Sequence, residues 1–278
     1  MVNNFGEQYK ICAIDTKKRK TALRYARKLK QRVDLIRHTY AIKIGLISII
    51  DNGLSIINEL KKITKLPIIC DLKIADVPHI AADISEKVYA AGADGIVIQG
   101  FVGKEVIKHI KARTPYLHIY LVSEMSHNAG GYTSEHLEDF CKMAKDFQLE
   151  GIIGPGERPE RIQLIKNSVK DGVNDKTKII AVGIANKNEE DEAIKHGADL
   201  IMEGREYQRL LDKQDVKKLL GQIGIYAGVA FILSLLLTIL LPDAIKKIAE
   251  PPLVNIFVST SMTMTGVVIG FLKGDARI

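Results

Sequence analysis

The chain has 278 residues, a net charge of +7, 46% hydrophobic and 26% charged residues, a balance that excludes a disordered chain and fits one large domain or two modest ones. Three cysteines without a Cys-x-x-Cys pair exclude a disulfide scaffold and give no sign of structural zinc. The averages hide a split: residues 221–278 carry only seven charged side chains (Asp243, Lys246, Lys247, Glu250, Lys273, Asp275 and Arg277), so nearly all the net charge sits on residues 1–220.

Basic residues are mixed with acids throughout this body. The densest run, Lys17-Lys18-Arg19-Lys20, lacks aromatic neighbours and the chain has no Trp. No nucleic-acid partner is therefore expected. The amino terminus shows no apolar leader, and Cys12 and Cys70 lie in apolar runs, which reads as reduced thiols packed in a core.

In chain order, short apolar runs predict strands at 11–14, 41–44, 67–71, 95–98, 118–122, 151–153, 178–182 and 199–202. Segments with apolar spacing of three and four follow them, for example 22–29, 80–89 and 136–147. Pro78 suits a first helical turn, and Gly92 and Gly197 suit helix stops. Strand and helix in alternation imply parallel pairing, and eight such units predict an α/β fold, a (β/α)8 TIM barrel. An open doubly wound sheet is the alternative from pattern alone.

In a barrel the chemistry belongs at the carboxyl ends of the strands. The polar residues there are Asp15, Lys43, Asp71 with Lys73 and Asp76, Gln99, Glu124 with Ser126 and His127, Gly154, Gly183 and Gly204-Arg205. Residues two apart on an extended strand face one side, so Asp71 and Lys73 are expected to share the cavity with Lys43 from the neighbouring strand. An array of alternating ammonium and carboxylate groups presents a fixed field to a substrate. As a bare pattern, Asp-x-Lys-x-x-Asp also occurs as a structural ion pair. Ser126 beside His127 is not read as a hydrolase pair, because adjacent residues seldom set a nucleophile against its base and no third member is evident.

Several ordered phrases carry a resemblance: Ala13-Ile14-Asp15, Lys43-Ile44-Gly45, Asp71-Leu72-Lys73-Ile74-Ala75-Asp76-Val77-Pro78, Glu124-Met125-Ser126-His127, Arg158-Pro159-Glu160-Arg161 and Gly204-Arg205. Over about residues 9–212 the chain resembles the orotidine 5′-monophosphate decarboxylase family, in its short archaeal form. The resemblance implies a barrel that decarboxylates orotidine 5′-monophosphate to UMP in pyrimidine biosynthesis, with no metal and no cofactor. It assigns Lys43, Asp71, Lys73 and Asp76 to the catalytic network, with Asp76 reaching the partner's site in a homodimer. It places Asp15 on the ribose, Ser126 on the pyrimidine, and Gly183, Lys187, Gly204 and Arg205 at the phosphate.

Three positions depart from the family pattern, one being Val182 before Gly183, where proline is usual. Ile80 stands where threonine is usual, and Lys187 where glutamine is usual. Related barrels, the hexulose-phosphate synthases and keto-gulonate-phosphate decarboxylases, share Asp-x-Lys-x-x-Asp but use magnesium. Glu124-Met125-Ser126-His127 favours the nucleotide decarboxylase over these. An inactive, membrane-bound binding module is a further alternative, against which the intact charged tetrad argues.

Residues 221–242 contain no formal charge, and 223–241 are long enough to span a bilayer as a helix. Residues 251–272 are also uncharged, though richer in Ser, Thr and Asn. The expected organisation is a barrel at 1–220 followed by a C-terminal hydrophobic helical hairpin at 221–278, two transmembrane helices anchoring a cytoplasmic catalytic body. Gly224 with Gly228, and Gly266 with Gly270, have the spacing that permits close helix packing.

Overall fold

The architecture follows from eight strands, each too apolar to tolerate solvent on either face. In the computed structural model, which describes residues 9–127, 131–170 and 176–212 with Gly224, Ile225, Gly228, Val229 and Ile232, they are β1 (Lys10–Ala13), β2 (Thr39–Gly45), β3 (Ile68–Ile74), β4 (Gly95–Gln99), β5 (His118–Val122), β6 (Gly151–Pro155), β7 (Lys178–Val182) and β8 (Leu200–Glu203). They pair in sequence order, and β1 closes on β8. All eight pairings are parallel. Closure excludes the open doubly wound sheet and removes every strand edge.

Every strand contributes to the barrel core, with Ile11, Ala41, Ile69, Val97, Ile153 and Ile180 from six of them, Tyr120 and Val122 from β5, and Leu200 and Met202 from β8. The alternate residues, such as Ile42, Cys70 and Ile96, face outward and are equally buried, because helices cover that side. The helix Leu137–Asp146 shows how: Leu137, Phe140, Cys141 and Ala144 form its buried stripe. Pro78 and Pro159 each stand in the first turn of a helix. Gly92 and Gly197 adopt φ of +100° and +109° at helix ends, as their place in the sequence predicts. Cys12 and Cys70 are core residues, and burial pushes the Cys70 thiol up to about 12.

The strand interiors match the predicted positions: β5 and β7 coincide with them, β1 and β8 are offset by one residue, and β2, β3, β4 and β6 run on beyond the expected C-terminal end. β3 continues to Ile74 rather than stopping at Asp71. Its register against β4 shifts between Cys70 and Ile74, and Lys73 takes φ of +46°.

The chain divides into two units, Met1–Gln208 and Arg209–Ile278, where the sequence placed the division at 220. Among the described residues no helix is long and apolar enough to cross a membrane. The expected spans at 223–241 and 251–272 lie outside the described residues apart from the five isolated positions.

Ile180 is fully buried in the barrel interior. Replacing it with Ala should cost about 2–5 kcal/mol through lost burial and an unfilled cavity, read as a lowered urea midpoint at unchanged m-value.

Candidate active site

The inward rows of β2 and β3 change chemistry at their carboxyl ends. Ala41 is succeeded on its face by Lys43, and Ile69 by Asp71. Two steps along a strand return to the same face, so both charges cap the apolar interior, each with 7% exposure. Lys43 Nζ lies 3.3 Å from Asp71 Oδ2 and 2.5 Å from Asp15 Oδ2. Lys73 Nζ is 2.7 Å from both Asp71 oxygens. Asp71 thus sits between two ammonium groups, and Lys43 between two carboxylates. The second oxygen of Asp15 accepts the Gly45 N–H at 2.7 Å.

Burial by itself would lower the Lys43 pKa. The facing carboxylates of Asp71 and Asp15 outweigh burial and raise it. Lys43 therefore stays an ammonium at neutral pH. Lys73 joins Asp71 by a different route from the expected alternation. Its left-handed backbone and the β3 irregularity re-aim the side chain, an arrangement that costs on the order of 1–3 kcal/mol and is typical of functional positions.

Asp76 is not part of this trio. It is exposed in the loop after β3, its Oδ1 accepts the Val77 N–H at 2.7 Å, and it makes no salt bridge among the described residues. Ser126 is half-buried after β5. Gly183, at φ of +81° after β7, approaches it so closely that a Cβ on Gly183 would lie 2.6 Å from Ser126 Cβ. Gly204 and Arg205 follow β8, and Arg205 is exposed at the start of a helical turn.

Lys187 is held elsewhere. It opens the helix Lys187–Lys195 and pairs with Glu190 at 2.7 Å and Asp191 at 3.0 Å on that helix. Positions three and four apart on a helix meet. Asn186 caps the same helix by accepting from Glu189 N–H, and Glu189 accepts the Ala185 N–H. The first turn's own acids surround the lysine expected at the phosphate.

Sequence reasoning recorded Glu124 at a strand end but gave it no role. It is 2% exposed and joins three elements. It accepts from Arg158 at 2.6 Å, Arg161 at 2.7 Å and Ser134 at 2.7 Å. Arg158 also donates to the Met125 carbonyl at 2.8 Å, which ties the residue before Ser126 to the end of β6. The proximity of Glu124 to the Arg-Pro-Glu-Arg phrase exists only in the fold. Glu157 was also missed: both its carboxylate oxygens are buried without a hydrogen-bond partner among the described residues. Burial pushes its carboxyl up; its own backbone N–H and Arg158 oppose this, and Glu189 and Glu124 add repulsion.

Burial pushes the Glu124 carboxyl up as well, but the hydrogen bonds from Ser134, Arg161 and Arg158 outweigh it and hold it below the usual carboxylate range. Its stabilisation is complete above an unfolded-state value of about 4.3 and is lost as pH falls through the lower folded value. Glu124→Gln should therefore cost roughly 3 kcal/mol at pH 7, from two stranded guanidiniums. Urea titrations of both proteins should show the gap narrowing below about pH 4.

Comparisons with known proteins bear on the fold and the family. A family model described as "Orotidine 5'-phosphate decarboxylase / HUMPS family" matches residues 10–216. An orotidine 5'-phosphate decarboxylase of Pyrococcus furiosus is 36% identical over 216 residues, 77% of this chain and 96% of its own length. That of Pyrococcus abyssi is 38% identical over 197 residues, 70% and 88% of the two chains. Among solved structures, the decarboxylase from Pyrococcus horikoshii OT3 aligns with a TM-score of 0.62 at 33% identity, covering 70% of this chain and 89% of that one. The Methanocaldococcus jannaschii enzyme complexed with the inhibitor BMP aligns with a TM-score of 0.64 at 26% identity, covering 73% and 92%. With the matched segment spanning the whole described barrel and every strand end that carries the charged array, the chain belongs to the orotidine 5'-phosphate decarboxylase / HUMPS family.

Proposed function

We infer that the chain decarboxylates orotidine 5′-monophosphate to uridine 5′-monophosphate. The observation that carries this reading is the Lys43–Asp71–Lys73 array, fixed at the carboxyl end of the barrel. The relatives' names favour the nucleotide decarboxylase over the phosphosugar branch.

The proposed step is one bond broken and one formed. The C6–carboxylate bond of the pyrimidine breaks, carbon dioxide leaves, and the electron pair remains on C6. The Lys73 ammonium stabilises that charge and gives C6 a proton; water returns a proton to the amine. Lys43 holds Asp71 in place from the other side, so the field is organised before substrate arrives. Asp71 stands next to Lys73, where the departing carboxylate would lie.

Asp15 serves the ribose in this reading, Ser126 the base, and Gly183, Gly204 and Arg205 the phosphate, for which a planar guanidinium is well shaped. Lys187 reaches an anion only by leaving Glu190 and Asp191. The separation of Asp76 from the trio supports its use in a second subunit's site. Leu46, Ile47, Ile50, Val77, Ile80 and Phe101 expose apolar surface on the segments after β2, β3 and β4, which supports a homodimer through that face. Ile80 adds to the apolar contact there, in place of a hydroxyl.

The anchoring of a cytoplasmic catalytic body in a membrane by residues 221–278 belongs to the same proposal. The two uncharged stretches support it.

Purified protein should convert orotidine monophosphate to UMP with or without a chelator; inactivity that magnesium and a phosphosugar relieve would favour the sugar branch. Lys73→Ala should lower turnover by at least roughly a hundred- to a thousandfold with the fold intact, and near-native turnover would sink the mechanism. Mixed dimers of Lys73→Ala and Asp76→Ala chains should regain part of the activity. A confirmed heterodimer without recovery would remove Asp76 from the shared site. Full-length protein should resist salt and carbonate washing from membranes, whereas a soluble full-length dimer would end the anchoring proposal.

A further inference from the structure

Among the described residues the carboxylate of Glu157 accepts no hydrogen bond from another side chain, and it lies where the ends of β5, β6 and β7 meet. Its Oε2 falls 2.5 Å from the point that a Cβ on Gly183 would occupy, and Ser126 Cβ falls 2.6 Å from the same point. The absence of a side chain at Gly183 is what lets the two approach each other. Arg158 does not satisfy Glu157. Its Nε stays 3.8 Å from Oε1, beyond hydrogen-bond range, while its terminal nitrogens are committed to Glu124 and the Met125 carbonyl. A buried carboxylate without donors is costly, so it takes up a donor within reach. Ser126 Cβ and Glu157 Oε2 converge on the same point beside Gly183, which makes the Ser126 hydroxyl the candidate donor.

We propose that Glu157 is a positioning residue that fixes the hydrogen-bond polarity of Ser126, so that the base-binding rim selects a pyrimidine with an N–H at ring position 3. The inference rests on the decarboxylase reading, in which Ser126 meets the pyrimidine. A serine hydroxyl both donates and accepts. Once its proton is turned toward Glu157, its oxygen is left as an acceptor for the ligand. A uracil-type ring offers an imide N–H there. A cytosine ring offers a lone pair, which faces the serine oxygen without a proton between them. Discrimination arises because a site with fixed polarity leaves the mismatched groups unpaired.

The test uses full-length protein and two unreactive probes, uridine and cytidine 5′-monophosphate, titrated into wild type, Glu157→Ala and Glu157→Gln. Wild type should bind the uridine nucleotide tighter by about tenfold or more, the scale of one mismatched buried hydrogen bond. Glu157→Ala should shrink that ratio toward unity, because the hydroxyl is then free to turn either way. Circular dichroism and unchanged affinity for inorganic phosphate establish that the variants are folded, and Glu157→Gln keeps the side-chain volume should the alanine variant fail to fold. A ratio unchanged in a folded variant, or absent in wild type, overturns the role of Glu157 alone. Wild type that binds neither nucleotide and leaves orotidine monophosphate intact overturns the decarboxylase reading and this inference with it.

Discussion

Asp71 is the constraint on which the site depends. It is nearly buried at the end of an apolar row and lies between two lysine ammonium groups. An unpaired carboxylate buried there would be costly. With Lys43 and Lys73 beside it the charges compensate, and removal of any one member would strand the others. The array is therefore both a structural ion cluster and a preset field. These roles need the same geometry, since a field that has to reorganise during reaction contributes less to catalysis than one already fixed. The left-handed Lys73 backbone belongs to the same arrangement: the extended alternation ends at Asp71, and the irregularity in β3 turns the next charge back toward it.

Around this centre the barrel divides its labour. The interior ring from Ile11 to Leu200 makes a rigid floor, while the carboxyl ends supply the chemistry. The β5–β6 side is braced by Glu124, whose bonds to Arg158, Arg161 and Ser134 hold the segment leading to Ser126. The β7 side differs in character. There the helix start is neutralised by its own acids, and Lys187 is paired with Glu190 and Asp191, so less positive charge is left for an anion. Arg205 is exposed after β8, and the proposed reading therefore puts more of the phosphate grip on β8 than on β7.

The fold was legible because its signals are local. Eight apolar runs with helical spacing between them, Pro78 at a helix start, and Gly92 and Gly197 at helix ends each report on their own neighbourhood. Parallel pairing follows from the lengths of the connections. The central charges were legible for a similar reason: Lys43 and Asp71 lie two residues beyond the apolar Ala41 and Ile69, so strand alternation alone turns them inward.

What sequence could not supply was contact between distant segments and departures from regular backbone. Glu124 meets Arg158 and Arg161 across more than thirty positions, and no periodicity encodes such a meeting. Lys187 was assigned to an anion by its place after β7, but neighbours one helical turn away compete for the same ammonium group. The expectation for Lys73 reached the right partner through a wrong local geometry, since extended alternation does not contain a left-handed residue. By itself, the sequence determined the eight-unit barrel, the apolar interior and the residue types at the strand ends. Tertiary structure decided which of those residues share a charge cluster, which are paired within their own helix, and which, like Glu157, accept no side-chain hydrogen bond among the described residues, because hydrogen bonds and ion pairs depend on distances of a few ångströms that only chain closure sets.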